Sequence, residues 1–181
     1  MTTALTLSGS TRKGSWNTVL QKLVGRRLAA AGVEVTELDL TDFPLPIFSE
    51  DIEAEGMPDA AVKLAELWRS HDIVFIASPE YNGGVTPLTV NTVTWLSRQR
   101  PSPFRHATFG IGGVSSGKYG TIWALSHLRD SLTKLGALVV PTLLGIGPAE
   151  AAFDAEGEPT EPAIRRKIDT IVEELTSFRR S

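Results

Sequence analysis

The segment at residues 4–17, ALTLSGSTRKGSWN, decides the fold. It begins with a short apolar run at 4–7, continues through a loop rich in glycine and hydroxyl side chains, and leads into a pattern of helical spacing at about 17–31. Gly32 ends this helix, and residues 33–40 then alternate between apolar and polar side chains as an edge strand does. A strand, a loop, a helix and a second strand in this order predict a parallel β-sheet covered by helices.

The same alternation continues to the end of the chain. Residues 73–78, IVFIAS, are apolar almost throughout, as expected for a central strand buried on both faces. Residues 41–58 are rich in proline and acidic side chains, and they are predicted to form a long loop. We expect one doubly wound α/β domain spanning 1–181. Its remaining strands are predicted at 107–111 and 138–141, and its remaining helices at 58–70, 87–98, 120–135 and from about 164 onward.

Composition excludes several classes of function. The formal net charge is −3, so no basic surface for nucleic acid is expected. The chain has no cysteine, which excludes disulfides, thiolate catalysis and iron–sulfur clusters. Redox chemistry would therefore need a bound cofactor. Neither a signal peptide nor an apolar stretch long enough for a bilayer is evident, so we expect a cytoplasmic protein without a membrane partner.

Three loops are predicted to meet at one edge of the sheet. In a doubly wound sheet, ligands bind beyond the carboxyl ends of the strands. The loops at 8–17, 78–87 and 112–120 all leave such ends, and they hold nearly all the Gly-, Ser- and Asn-rich sequence of the first 120 residues. The sequence therefore predicts a ligand site formed by these three loops.

The first loop lacks the side chains that a nucleoside triphosphate or a dinucleotide requires. Ser15 stands where a Walker A loop has lysine, and only one glycine follows Gly9 where the dinucleotide fingerprint needs two. A helix N-terminus, the Arg12 guanidinium and several hydroxyl or amide groups suit one monophosphate held without metal. The alternative is that Ser15 or Asn17 merely caps the helix. The hydroxyl and amide groups are Ser10, Thr11, Ser15, Asn17 and Thr18.

The second loop, SPEYNGG at 78–84, is predicted to turn tightly. The run from Asn82 to Gly84 tolerates positive φ, so the backbone can present its N–H and C=O groups to the edge of a planar heterocycle. Tyr81 can then lie against the flat ring. The alternative is an ordinary turn with a surface tyrosine.

The third loop, GGVSSGKYG at 112–120, contains two misleading matches. Tyr119 replaces the magnesium-binding hydroxyl of a Walker A loop, and the elbow motif around Ser115 lacks an acid followed by a histidine downstream. His127 comes before Asp130, which is the wrong order, so a serine hydrolase is disfavoured. The chain's three histidines have no spacing suited to a metal, and none is predicted. We interpret the loop as a Ser- and Gly-rich cradle for one edge of the ligand.

These motifs together resemble the NADPH-dependent FMN reductase family. The matching segments are GSTRKGSWN, SPEYNGG with NTVTWLSR, and the Ser/Gly loop before LSHLRDSLTKLGALVVP, and the resemblance extends over the whole chain. It is nearest to the branch of azoreductases, quinone reductases and chromate reductases. This resemblance implies a flavodoxin-like fold, a five-stranded parallel sheet in the order 2-1-3-4-5 with helices on both faces.

The resemblance also assigns roles to residues. It implies that the FMN phosphate is held by Ser10, Arg12, Ser15, Trp16, Asn17 and Thr18. It implies that the isoalloxazine and ribityl groups lie against Pro79, Glu80, Tyr81 and Asn82, with Ser115 and Ser116 on the other side of the ring. The Glu80 carboxylate has the alternative role of a structural partner. The third helix departs from the family, because TPLTVNTVTW at 86–95 lacks the Lys and Asp of the family's PGVLKNAIDW.

The function implied is that of an NAD(P)H-dependent oxidoreductase. NADPH or NADH would pass two electrons through FMN to a small-molecule acceptor such as a quinone or an azo compound, with no catalytic acid or base from the protein. Family members are commonly homodimers or homotetramers with the flavin near a subunit interface. The rival hypotheses are a flavin-binding electron carrier without nicotinamide activity and a serine hydrolase using Ser115.

Overall fold

The computed structural model describes residues 1–178, and its largest feature is a parallel sheet of five strands. The strands are β1 Thr3–Ser8, β2 Glu34–Leu38, β3 Ile73–Ala77, β4 Glu80–Tyr81, β5 Gly84–Val85, β6 Thr108–Val114 and β7 Leu138–Ile146. The helices are α1 Trp16–Ala30, α2 Glu50–Glu55, α3 Asp59–Arg69, α4 Pro87–Ser97, α5 Ile122–Lys134, α6 Ala149–Ala152 and α7 Pro162–Ser177, with a 3₁₀ turn at Leu40–Asp42.

The strand order confirms the flavodoxin-like fold. The sheet runs β2-β1-β3-β6-β7 with every neighbouring pair parallel, and β4 and β5 form a separate antiparallel hairpin. With that hairpin left out of the count, the order is 2-1-3-4-5, as in flavodoxin-like sheets. The carboxyl ends of β1, β3 and β6 therefore lie side by side at one edge of the sheet.

Helices cover both faces of the sheet and bury two apolar cores. α1 and α7 pack on one face, whereas α3, α4 and α5 pack on the other. β3 serves both cores, because Phe75 faces the first while Val74 and Ile76 face the second. Each such side chain contributes about 1.5–3 kcal/mol when it leaves water. The apolar run at 73–78 correctly predicted this central strand.

Two strands run further toward the site than the sequence predicts. β6 continues to Val114 and β7 to Ile146, and the extra residues pair with one another. Pro141 does not end β7, because an edge strand tolerates a residue without an N–H. The prediction of an irregular loop at 41–58 was also incomplete, since Asp39 caps the 3₁₀ turn and Ser49 caps α2.

Candidate functional site

The three predicted loops form one cleft at the carboxyl edge of the sheet. This cleft, called the first cleft below, has a volume of about 290 Å³, and most of the predicted site residues line it. Its lining is Ser10, Arg12, Ser15, Trp16, Asn17, Pro79, Glu80, Tyr81, Val114, Ser115, Ser116, Ala149 and Glu150. Of the predicted residues, Thr11, Thr18 and Asn82 do not line it. Thr18 lines a neighbouring cleft on the β2 side of the loop, and Asn82 lies at the tip of the β4–β5 hairpin.

Three lining residues were not predicted. Val114 lies at the end of β6, and Ala149 and Glu150 belong to the short helix α6. α6 reaches the cleft because the Ala149 N–H donates to the Ser115 carbonyl oxygen at 3.0 Å. The sequence pattern contained no signal for this contact, since the stretch from 142 to about 161 had no clear periodicity.

The first loop is shaped to leave several donors free. Gly14 adopts φ of 68°, and the Ser15 hydroxyl oxygen caps α1 by accepting from the Asn17 N–H at 3.2 Å. The capping interpretation of Ser15 is therefore correct. Within residues 1–178, however, the backbone N–H groups of Thr11, Lys13 and Gly14 donate no hydrogen bond. Capping and anion binding are thus compatible in this loop.

Asn17 joins the first loop to the third. Its carboxamide is buried; Nδ2 donates to the Val114 carbonyl oxygen at 3.0 Å, and Oδ1 accepts from the Val114 N–H at 3.0 Å. This paired contact satisfies two backbone groups at the end of β6. The side chain predicted to meet a phosphate therefore also fixes the distance between two walls of the cleft.

Gly9 brings the first loop against α4 and β3. Its N–H donates to the Ala77 carbonyl oxygen at 2.8 Å, and its carbonyl oxygen accepts from the Thr86 hydroxyl at 3.1 Å. A Cβ at this position would lie 2.1 Å from the Thr89 hydroxyl oxygen, so only glycine fits. Thr86 and Thr89 are themselves hydrogen-bonded at 3.0 Å and buried.

The second loop forms a hairpin. Asn82 and Gly83 have φ of 53° and 74°, which is the conformation of a type I′ turn, and Asn-Gly is its preferred sequence. The predicted positive φ is confirmed at these two residues, although the strands flanking them were not predicted. Tyr81 is 59% exposed at the rim of the cleft. The Glu80 carboxylate accepts from the Ala124 N–H at 2.9 Å, in the first turn of α5.

The third loop presents two hydroxyl groups. The Ser115 N–H donates to the Ile146 carbonyl oxygen at 3.1 Å, which fixes the loop to the end of β7. Within residues 1–178 the hydroxyls of Ser115 and Ser116 make no hydrogen bond, so both remain available to a ligand. At Gly113 a Cβ would lie 2.1 Å from the Ser78 carbonyl oxygen, so glycine permits the second and third loops to approach each other.

The donor set fits a phosphate joined to a flat polar ring. At one end are the guanidinium of Arg12 and the hydroxyl of Ser10, whereas Pro79 and Tyr81 provide flat surfaces at the other. Trp16 is held at the cleft by stacking on Phe153, with ring centroids 5.9 Å apart. FMN has this combination of a monophosphate and a planar heterocycle.

Other kinds of site find no support in residues 1–178. The Ser115 hydroxyl has no hydrogen bond to a histidine or a carboxylate, as a serine nucleophile requires. This part of the chain contains no group of three side chains suited to holding a metal ion. None of its helices combines the length and apolar content needed to cross a bilayer.

Comparison with known proteins agrees with this geometry. The model of the NADPH-dependent FMN reductase family matches residues 2–151. The chain is 34% identical over 174 residues to the NAD(P)H-dependent FMN reductase PA1204 of Pseudomonas aeruginosa, covering 94% of this chain and 91% of that relative. It is also 34% identical over 179 residues to a quinone reductase of Escherichia coli K12, covering 96% and 92% of the two chains.

A solved structure gives the same result for the whole fold. The flavoenzyme NAD(P)H:(acceptor) oxidoreductase FerB of Paracoccus denitrificans superposes with a TM-score of 0.81 at 25% identity, and the match covers 99% of this chain and 100% of that one. Family model, sequence relatives and fold all agree with one another, and the chain belongs to the NADPH-dependent FMN reductase family.

Proposed function

We propose that this protein binds FMN in the first cleft and uses NADPH or NADH to reduce a small flat acceptor, such as a quinone or an azo compound. The observation that carries the proposal is the convergence of the Arg12 guanidinium with the hydroxyls of Ser10, Ser115 and Ser116 on one cleft beside Tyr81. Similarity to a quinone reductase over nearly the whole chain supports the acceptor class.

At the phosphate end, we assign binding to Ser10 and Arg12, which line the first cleft. The Arg12 guanidinium donates one bond to the Lys13 carbonyl oxygen at 3.3 Å and keeps its remaining N–H groups for an anion. Charge-assisted bonds of this type are about twice as strong as neutral ones. Ser15 and Asn17 shape the loop through their own hydrogen bonds, and Trp16 forms one wall. Thr18 lies on the far side of the loop from this cleft.

At the ring end, we assign the contacts to Pro79, Tyr81 and the two serines of the third loop. The hairpin presents Tyr81 at the rim, where it can lie against a planar ring, and Asn82 shapes the turn. Ser115 and Ser116 offer hydroxyls from the opposite wall. We propose that Glu80 positions this hairpin through α5 instead of contacting the cofactor with its carboxylate.

When bound, FMN supplies the two-electron chemistry between nicotinamide and acceptor. The chain's own residues bind, orient and cover the reacting partners. We assign no general acid or base to Glu80, Ser115 or Ser116, because Glu80 is engaged with α5 and the two serine hydroxyls have no hydrogen-bonded proton acceptor within residues 1–178. We propose that the protein acts in the cytoplasm, because reduced nicotinamide is available there for this electron transfer.

We also propose a homodimer built around α4. Where the family has Lys and Asp on this helix, the chain has Val90 and Thr94, and Val90 is 49% exposed. Apolar grooves of about 460 and 240 Å³ flank the helix on its two sides. Ile47, 85% exposed, borders the larger groove. A homotetramer would add a second interface to the same dimer.

Two measurements test the proposed function. Purified protein loaded with FMN should show bound-flavin absorption bands after gel filtration and should oxidise NADPH or NADH with menadione as acceptor. Flavin retained without nicotinamide turnover would instead favour the electron carrier. Colourless protein that takes up no added FMN would contradict the proposal entirely.

A further inference from the structure

A second cleft lies on the opposite side of the first loop, between that loop and the end of β2. Its volume is about 370 Å³, and it shares Ser10 and Arg12 with the first cleft. The two clefts therefore lie next to each other and share these two residues of the first loop. The residues that line only the second cleft have no role in the proposed FMN site.

The floor of the second cleft is built by Gln21. This side chain is only 5% exposed, and its Nε2 donates to the carbonyl oxygens of Thr6 at 2.9 Å and of Leu38 at 3.2 Å. It thereby joins the carboxyl ends of β1 and β2. Its Oε1 accepts no hydrogen bond within residues 1–178, and Gln21 lines the cleft.

Asp39 provides a fixed negative charge at the first position after β2. Its Oδ1 accepts from the Thr41 N–H at 2.9 Å and from the Thr41 hydroxyl at 2.7 Å. These hydrogen bonds, the backbone one foremost, hold the pKa of Asp39 below its usual value. Oδ2 accepts no hydrogen bond within the described residues and is open to a ligand hydroxyl.

Three cations border the same cleft. Arg12, Lys13 and Lys22 line it, and none of them forms an ion pair within residues 1–178. The acidic lining residues are Glu37 and Asp39, so the cations outnumber them. A cleft with cations near the loop and one carboxylate at the end of β2 suits a ligand with phosphates at one side and a free diol at the other.

We propose that the second cleft binds the adenosine diphosphate half of the nicotinamide dinucleotide, with the ribose diol on Asp39 and the pyrophosphate beside Arg12 and Lys13. An acid at the end of the second strand is where doubly wound sheets accept a ribose 2′-hydroxyl. The inference rests on the proposed function. It adds that the chain prefers NADH to NADPH, because the Asp39 carboxylate repels the 2′-phosphate that NADPH alone carries.

The test compares Asp39→Asn with the matched control Asp42→Asn, a neighbouring acid that does not line the cleft. Asparagine keeps the oxygen that caps Thr41, so the turn is retained. Binding of ADP and of adenosine 2′,5′-bisphosphate to the FMN-supplemented full chain is measured by calorimetry. The wild-type chain should prefer ADP. Asp39→Asn should raise the affinity for the bisphosphate, relative to that for ADP, about tenfold, because the repulsion between the carboxylate and the 2′-phosphate is removed.

Steady-state kinetics provide the second readout. The ratio of kcat/KM for NADPH to that for NADH should rise with Asp39→Asn and stay unchanged with Asp42→Asn. Lys22→Ala should weaken ADP several-fold relative to Lys63→Ala, a control on α3.

Two results would overturn the inference: no ADP binding to the wild-type chain, or an unchanged ADP-to-bisphosphate ratio in Asp39→Asn. Either result leaves FMN absorption and menadione reduction intact, so the proposed function would survive it. Conversely, a chain that binds ADP with the expected response to Asp39→Asn but takes up no FMN supports the second cleft and refutes the proposed function.

Discussion

The carboxylate of Glu80 accepts a hydrogen bond from the backbone N–H of Ala124, with 2.9 Å between Oε2 and N. Ala124 lies in the first turn of α5, where backbone N–H groups lack partners within the helix. Thr121, the residue at the N-cap position of α5, does not cap the helix with its own side chain. The hairpin that borders the cleft is therefore attached to a helix more than forty positions further along the chain.

Replacing Glu80 should lower the stability of the fold and leave the affinity for FMN nearly unchanged. Glu80→Ala removes the cap and should lower the free energy of unfolding by about 1 kcal/mol, whereas Glu80→Gln keeps an acceptor oxygen and should lower it less. Urea denaturation measures both, with the exposed Glu55→Gln as control. If Glu80→Gln alone weakened FMN binding more than tenfold, the carboxylate would contact the cofactor after all.

Removing Arg12 should weaken FMN without harming the fold. Its guanidinium makes one hydrogen bond within residues 1–178, to a neighbouring carbonyl, and is exposed. Arg12→Ala should weaken binding by about 1.5–3 kcal/mol, the value of a hydrogen bond to a charged group. A fluorescence titration of FMN measures the dissociation constant. Arg166→Ala, which changes an exposed arginine on α7, should leave that constant unaltered.

Asn17→Ala should destabilise the chain even without flavin. It leaves the N–H and the carbonyl oxygen of buried Val114 without their partner, and each unsatisfied buried group costs about 1–3 kcal/mol. Urea denaturation of the flavin-free protein checks this. A free energy of unfolding equal to that of the wild type would show that water replaces the carboxamide.

A double-mutant cycle tests the close approach at Gly9. Gly9→Ala places a methyl group 2.1 Å from the Thr89 hydroxyl oxygen, so the loop must move away from α4. Thr89→Ala removes that oxygen and should recover part of the lost stability. The coupling energy should exceed about 0.5 kcal/mol, because the two residues are in contact. Simple additivity of the two single changes would contradict the packing described here.

Asp39 gives a dependence of stability on pH. Because its pKa is lowered in the folded state, its stabilising effect is full above its unfolded pKa of about 3.9 and is lost as pH falls through the folded value. The difference in unfolding free energy between wild type and Asp39→Asn should therefore be constant near neutral pH and shrink below about pH 4. Urea denaturation between pH 3 and 7 measures this difference.

The α/β alternation and the edge of the sheet that carries the cleft follow from local patterns, whereas the strand order and the roles of Trp16, Pro79 and Glu80 were implied by the family resemblance. Apolar runs separated by helical stretches predict the parallel sheet, and hydroxyl-rich loops at strand ends predict which edge binds the ligand. The central position of β3 follows from its uniformly apolar sequence. These features depend on neighbouring residues, so one sequence is sufficient to predict them.

Contacts between distant segments could not be predicted in this way. The pairing of Asn17 with Val114 joins residues 97 positions apart, and the extension of β7 past Pro141 depends on its place at the sheet edge. The second cleft also needed the fold, because the sequence of the first loop alone argues against a dinucleotide. Only the structure places Asp39 beside that loop.

The carboxamide of Asn17 has a consequence for how this enzyme class diversifies. Because one buried side chain holds the end of β6 against the start of α1, the walls that the first and third loops give to the first cleft are linked to each other. Under the proposed function, we therefore expect the acceptor to be changed most readily by substitutions at Tyr81, which is exposed at the rim and takes no part in this linkage.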